Sequence, residues 1–272
     1  MKIFNEKQLE KANFILNSPY SKLSDLSSEE IKNLAIVWCY YSGKIEGNTY
    51  SYVETDVLLR EGISSVKKFD DAKMLKNLYN AFISVVKAIR KEDIKIPLRQ
   101  STVLAVHSII TKDLLNDKDR GILRKLPVKI TGTNYVPPGD EFEISEMFNR
   151  IFTSQTDCTN PLEQAVYLHC NIARLQPFID GNKRNSRLVE SIVMMNANII
   201  PVYSAKDEDI LNYRKGILHF YETGDYSQYA NYFLDRQLSR LQDVSPKQSI
   251  PPKSKGKKLK ITVAHPCASS IV

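Results

Sequence analysis

The chain has 272 residues, 42% apolar and 25% charged, near the averages of soluble globular proteins and far from disordered, collagen-like or disulfide-scaffold compositions. No window approaches about 18 uncharged apolar residues, and the start MKIFNEKQLEKANF is charged where a signal peptide is apolar, so we expect no membrane span, no secretion and a cytoplasmic location. Six of the seven net positive charges are lysines of residues 247–272 (Lys247, Lys253, Lys255, Lys257, Lys258, Lys260); residues 243–272 therefore read as a basic, disordered tail, and nucleic acid is expected as a partner only through it.

In chain order, residues 1–27 read as an N-terminal segment. Ser27 followed by Glu30 forms a capping box, and Ile31, Leu34, Ala35 and Trp38 repeat at helical spacing toward a stop at Gly47-Asn48, which predicts a helix over 28–48. Ser51 with Glu54 opens the next helix. Leu75, Leu78, Phe82, Val85, Val86 and Ile89 mark a long amphipathic one, and Val103, Val106, His107 and Ile110 another. Further helices fit near 143–154, 161–175, 184–198, 206–222 and 227–242. The exception is 125–139, KLPVKITGTNYVPPG, where β-branched residues flank Gly132-Thr133-Asn134 and turn chemistry predicts a short hairpin. The expected fold is all-α with one β-hairpin, its main domain spanning 28–242. Cys39, Cys158, Cys170 and Cys267 are scattered singly, without zinc or redox spacing.

One stretch departs from helix-and-turn grammar: residues 176–187, QPFIDGNKRNSR. A helix must stop before Pro177 and another must begin near Asn182, whose buried stripe is Leu188, Val189, Ile192 and Val193. The loop between them delivers unpaired backbone N–H groups and the positive dipole end of a helix, an anion-attracting arrangement. Arg184 and Arg187 share one face of the first turns and suit phosphate, although arginines there oppose the dipole. Asp180 sets a carboxylate beside them, suited to bringing Mg²⁺ onto a bound polyphosphate. Phe178 is expected to anchor the loop in the core. On the residues alone, a phosphate site and a salt-bridge network capping a buried helix remain equally open, and no Walker loop occurs.

This run resembles the signature of Fic/Doc (Fido) proteins, HxFx(D/E)GN(G/K)RxxR. The predicted hairpin, ending in Tyr135-Val136-Pro137-Pro138, is similar to that family's target-docking flap, and Ser42-Gly-Lys-Ile-Glu46-Gly47 resembles its inhibitory motif, (S/T)xxxE(G/N). The resemblance spans roughly residues 30–235. It implies a Fic fold, ATP and Mg²⁺ as substrate and cofactor, AMP transfer to a target hydroxyl, and a target protein docking at the flap. It also implies site roles: Asp180 for the metal, Gly181, Asn182 and Lys183 at the phosphates, Arg184 on the β-phosphate and Arg187 on the γ-phosphate. Glu46 would inhibit by pairing with Arg187, with Ser42 steadying its helix.

The chain differs from the adenylylating members of that family at two positions. Gln176 stands where the family has its catalytic His, and an amide accepts no proton near pH 7, which removes a contribution of roughly 10²- to 10⁴-fold. Lys183 stands where most adenylylating members have Gly; the Asn-Lys-Arg form is shared with Doc-like proteins, associated with phosphotransfer from a reversed nucleotide. A phosphotransferase and an inactive nucleotide-binding module are thus the alternatives to an AMP transferase. His169 is expected as a buried histidine under the loop, too distant to replace the base, and His107 as an ordinary member of its amphipathic helix.

Overall fold

The computed structural model describes residues 3–65, 67 and 69–244. Among these described residues there are ten α-helices: α1 (Glu6–Asn17), α2 (Ser28–Ile45), α3 (Tyr52–Glu61), α4 (Phe69–Lys91), α5 (Gln100–Ile110), α6 (Glu141–Ser154), α7 (Pro161–Leu175), α8 (Asn182–Asn196), α9 (Asp207–Thr223) and α10 (Ser227–Val244). The basic stretch 247–272 lies outside the described residues. None of the described helices is long and apolar enough to cross a membrane.

The starts are set by side-chain caps. Ser27 and Glu30 open α2, Ser51 and Glu54 open α3, and Asn160 caps α7 with Pro161 at its first position. α1 has the same device, Asn5 with Gln8, and was not expected from the sequence. It is no appendage: Ile3, Phe4, Ala12 and Ile15 are buried in the core.

α8 is the axis of the molecule. Val189 and Val193 face one apolar cluster with α7, α9, α10 and α1, while Leu188, Ile192 and Met195 face a second with α2, α4 and α5. Burial on both sides explains why almost all of α8 is enclosed, and it fixes the loop at its N-terminus rigidly.

The hairpin predicted over 125–139 does not form. A turn occurs at Thr131-Gly132, with Gly132 at φ +88°, but the arms have no ladder, and the isolated bridge among the described residues is Lys22 with Ile199. A buried guanidinium takes the ladder's place. Arg124 donates from Nη1 to the Leu126 carbonyl (2.8 Å) and from Nη2 to the Pro138 carbonyl (2.5 Å), fastening both arms at their base. At the tip, the Thr133 hydroxyl donates to Glu222 of α9 at 3.0 Å. The flap is therefore an extended loop tied by side chains at both ends.

Candidate nucleotide site

The loop between α7 and α8 runs from Gln176 to Gly181, and both ends use left-handed backbone, Gln176 at φ +51° and Gly181 at φ +80°. Gly181 is demanded twice over. A Cβ there would sit 3.0 Å from Thr111 Cγ2 and 3.3 Å from His107 Nε2. Between these ends, the Asn182 side chain clips the loop shut: Phe178 N–H donates to its Oδ1 (2.8 Å) and its Nδ2 donates to the Phe178 carbonyl (2.7 Å). Phe178 is fully buried, as expected.

His107 supplies a support the sequence reading missed. Its ring stacks on Phe178 at 3.7 Å between centroids and 6° between planes. Gly121 N–H donates to Nδ1 (2.9 Å), so the proton resides on Nε2, which donates to the Asp180 carbonyl at 2.9 Å. Burial, with the nearby Arg184 charge, pushes its pKa down to about 4. A buried position in the Val103, Val106, Ile110 stripe was the available signal; nothing local indicated its partners.

α8 begins without a side-chain cap, so its first N–H groups have no capping partner. Arg184 is buried, 3% exposed, and pairs through Nη2 with Asp180 at 2.5 Å. Its Nε and Nη1 find no partner among the described residues. A buried guanidinium with two idle donors is costly unless an acceptor arrives, and beside a bare helix N-terminus the fitting acceptor is an anion.

Arg187 is in the opposite condition, fully buried with its guanidinium engaged. Nη2 donates to Glu46 Oε1 (2.7 Å) and to the Ser42 carbonyl (3.2 Å), Nε to the Ser42 hydroxyl (3.2 Å), and Nη1 to the Tyr213 hydroxyl (3.2 Å). The expected Glu46–Arg187 contact is therefore present, and Ser42 binds the guanidinium directly as well as belonging to its helix. Glu46 caps the C-terminus of α2, a poor place for a carboxylate with respect to its own helix but a good one with respect to the N-terminus of α8. Burial pushes its carboxyl up, but Arg187, Lys183 and Arg184 outweigh burial and hold it below the usual range.

Glu46 and Tyr213 face a cleft of about 440 Å³ that Ile45, Ile130, Ile217, Leu218 and Tyr221 also line, with Lys183 and Arg214 beside Glu46 at its polar edge; Arg184 and Arg187 lie outside its lining. Its size falls within the roughly 300–1,000 Å³ of small-molecule sites, and its mixture of flat apolar walls and cations suits a nucleotide. Arg214 fixes one side by donating to the Ile45 carbonyl at 3.0 Å.

Gln176 does not point to this chemistry. Its Nε2 donates back to the Ala173 carbonyl at 2.6 Å, and its own carbonyl accepts from Arg124 Nε at 2.6 Å. His169 is fully buried with Nδ1 3.1 Å from Glu190 and Nε2 3.3 Å from the Tyr213 hydroxyl, so it reaches the site only through Tyr213. Asp180 is 60% exposed. No group of three or more metal-ligating residues exists among the described residues. One carboxylate beside phosphate donors fits Mg²⁺ carried in by a nucleotide.

Residues 97–194 match the sequence model of the Fic/DOC family. The protein adenylyltransferase Fic of Drosophila persimilis is 25% identical over 198 residues, covering 72% of this chain and 38% of that protein; its Drosophila melanogaster counterpart is 26% identical over 199 residues, covering 72% and 39%. The chain thus spans about two fifths of the length of these relatives. Among solved structures, Fic-1 (residues 134–508) from C. elegans superimposes with a TM-score of 0.69 at 20% identity, covering 87% of this chain and 70% of that one. A Fic domain containing signaling protein from Bacteroides thetaiotaomicron gives 0.68 at 20% identity, covering 86% and 95%. The all-α architecture agrees with these matches, and residues 97–194 of the chain are similar to the Fic/DOC family.

Proposed function

We propose that this protein binds Mg-ATP between α2, α8 and the flap, in a site that Glu46 keeps closed, and that its chemistry is transfer of AMP to a hydroxyl of a target protein docked at the flap. The observation that carries this reading is the contrast between the two arginines: Arg184 is buried with two nitrogens lacking a partner, whereas every guanidinium nitrogen of Arg187 is bonded, to Glu46, Ser42 or Tyr213. A polyphosphate would satisfy the first directly and the second only by displacing Glu46. Arg184 would take the β-phosphate, Arg187 the γ-phosphate, and the N–H groups at Gly181, Asn182 and Lys183 the bridging region. Asp180 would hold Mg²⁺, which when bound neutralises phosphate charge. The Asn182 side chain is already committed to the loop clip, so its share falls to its backbone.

In AMP transfer the target oxygen bonds to the α-phosphorus, the bond to the β-phosphate oxygen breaks, and the hydroxyl proton must leave. Gln176 takes no proton, so the chain lacks the general base and the rate falls accordingly. That same residue favours a second reading, nucleotide binding without transfer, because its amide is turned onto Ala173.

Thermal unfolding with Mg-ATP tests the first step. Binding stabilises the fold by about 2.7 kcal/mol at a hundredfold excess over Kd, more readily in Glu46→Gly, and Arg184→Ala diminishes the shift. No nucleotide effect, even in Glu46→Gly, defeats the reading. With a cell extract, label moving from α-labelled ATP indicates AMP transfer, label from γ-labelled ATP indicates phosphotransfer, and neither leaves the binding module.

A further inference from the structure

Glu46 has two cations, one for each oxygen. Oε1 lies 2.7 Å from Arg187 Nη2, and Oε2 lies 3.5 Å from Lys183 Nζ. The two partners differ in access. Arg187 has no exposed side-chain surface and is held by Ser42 and Tyr213 as well, whereas the Lys183 side chain is 33% exposed and lines the cleft. A ligand entering the cleft therefore meets Lys183 before Arg187.

Lys183 is also in the wrong place for its own helix. At the start of α8 a cation opposes the dipole, so stability of that helix does not account for it; a nearby anion does. Two anions compete for that place, the carboxylate of Glu46 in the closed site and the terminal phosphate of a ligand in the open one.

We infer that Lys183 is an exchangeable counter-ion: it reinforces the Glu46 lock while the site is empty and passes to the terminal phosphate of a nucleoside triphosphate when Glu46 is displaced. This rests on reading the site as a nucleotide site. It makes the residue's effect on binding depend on what stands at position 46. With Glu46 present, loss of Lys183 removes one contact from the lock and one from the complex, and the two losses offset. Without Glu46, the same loss removes only a phosphate cation. A substitution at Lys183 thus shows its full cost to binding only when Glu46 is absent.

The test is calorimetric titration of Mg-ATP and Mg-ADP into the wild type, Lys183→Met, Glu46→Gly and the double variant. Methionine keeps the length of the stem. We expect Lys183→Met to leave ATP binding within about twofold in the Glu46 background and to weaken it by roughly two- to fivefold in the Glu46→Gly background, as for a partly exposed ion pair, with ADP changing by less than about twofold. Equal effects in both backgrounds, or no effect in either, overturn the inference while leaving nucleotide binding intact. If Glu46→Gly with Lys183 in place binds no nucleotide, the nucleotide reading itself fails. A denaturant-unfolding double-mutant cycle between Glu46→Gln and Lys183→Met without ligand then decides the pairing alone, and zero coupling removes it.

Discussion

Arg124 and Gln176, 52 residues apart, are joined by a hydrogen bond of 2.6 Å from the arginine Nε to the glutamine carbonyl at the end of α7. Around it the chain is stitched further: Arg124 N–H donates to the Pro177 carbonyl at 2.9 Å, and the guanidinium reaches Leu126 and Pro138 on the two arms of the flap. Burial lowers its pKa, and its partners are carbonyls rather than a carboxylate. The flap and the signature loop are thereby one unit, with the negative end of the α7 dipole facing the charge.

Arg124→Lys should not rescue this unit, because one ammonium cannot replace a planar fork across several carbonyls. Both Arg124→Lys and Arg124→Ala should destabilise the fold, the latter by about 3 kcal/mol as buried carbonyls lose their donors. Limited proteolysis should then cut within 125–139 ahead of the rest of the chain. Unchanged stability with an intact flap would show that the guanidinium is dispensable.

His107 should make stability depend on pH. Its folded pKa, about 4, lies below the ordinary value near 6.5, so the unfolded chain takes up a proton first as pH falls. Its contribution is complete above about pH 6.5 and drains away toward pH 4, amounting to about 3 kcal/mol over that window. Denaturant unfolding at pH 4.5 and 7.5 should therefore give a smaller difference for His107→Gln than for the wild type. An undiminished difference would assign the pH dependence to other groups.

Gly181→Ala tests the backbone of the loop between α7 and α8. A side chain at φ +80°, 3.0 Å from Thr111, is strained by conformation and by contact, at a cost of about 1–3 kcal/mol. We expect a lower melting temperature together with loss of the ATP-induced shift. A shift of wild-type size would mean that the loop relaxes without losing its donors.

What could be read from the sequence follows from how local each determinant is. Asn160-Pro161 and Pro177 fix the ends of α7 within a few residues, and the observed Pro161–Leu175 matches the expected 161–175. α2 likewise carries its start in Ser27 and Glu30. The missing hairpin is the opposite case: its β-branched arms looked self-sufficient, while the group that substitutes for the ladder is a side chain outside the arms. α1 was overlooked because its capping box uses Asn and Gln rather than Ser and Glu. The Glu46–Arg187 contact joins residues 141 apart, and no periodicity reports such a pair; only the likeness of two short motifs to a family's did. The idle donors of Arg184 and the second cation on Glu46 depend on packing alone, so they became visible only in three dimensions.

Restoring the base is compatible with the backbone already present. Gln176 sits at φ +51° and ψ +59°, a left-handed conformation in which histidine is among the better-tolerated side chains, so Gln176→His should fold. It gives up the 2.6 Å bond to the Ala173 carbonyl, a loss of about 1 kcal/mol, and gains an imidazole that titrates near pH 6.5 when unperturbed. Combined with Glu46→Gly, which frees Arg187, the substitution should raise transfer from α-labelled ATP by at most about 10⁴-fold, with a rate that falls as pH drops through the histidine pKa. Lys183 is the residue proposed to decide the product. If it turns the nucleotide so that the terminal phosphate faces position 176, γ-label transfers instead, and adding Lys183→Gly should return the product to AMP. A triple variant that binds ATP yet labels neither itself nor any protein in an extract would show that the base at position 176 is not what limits transfer.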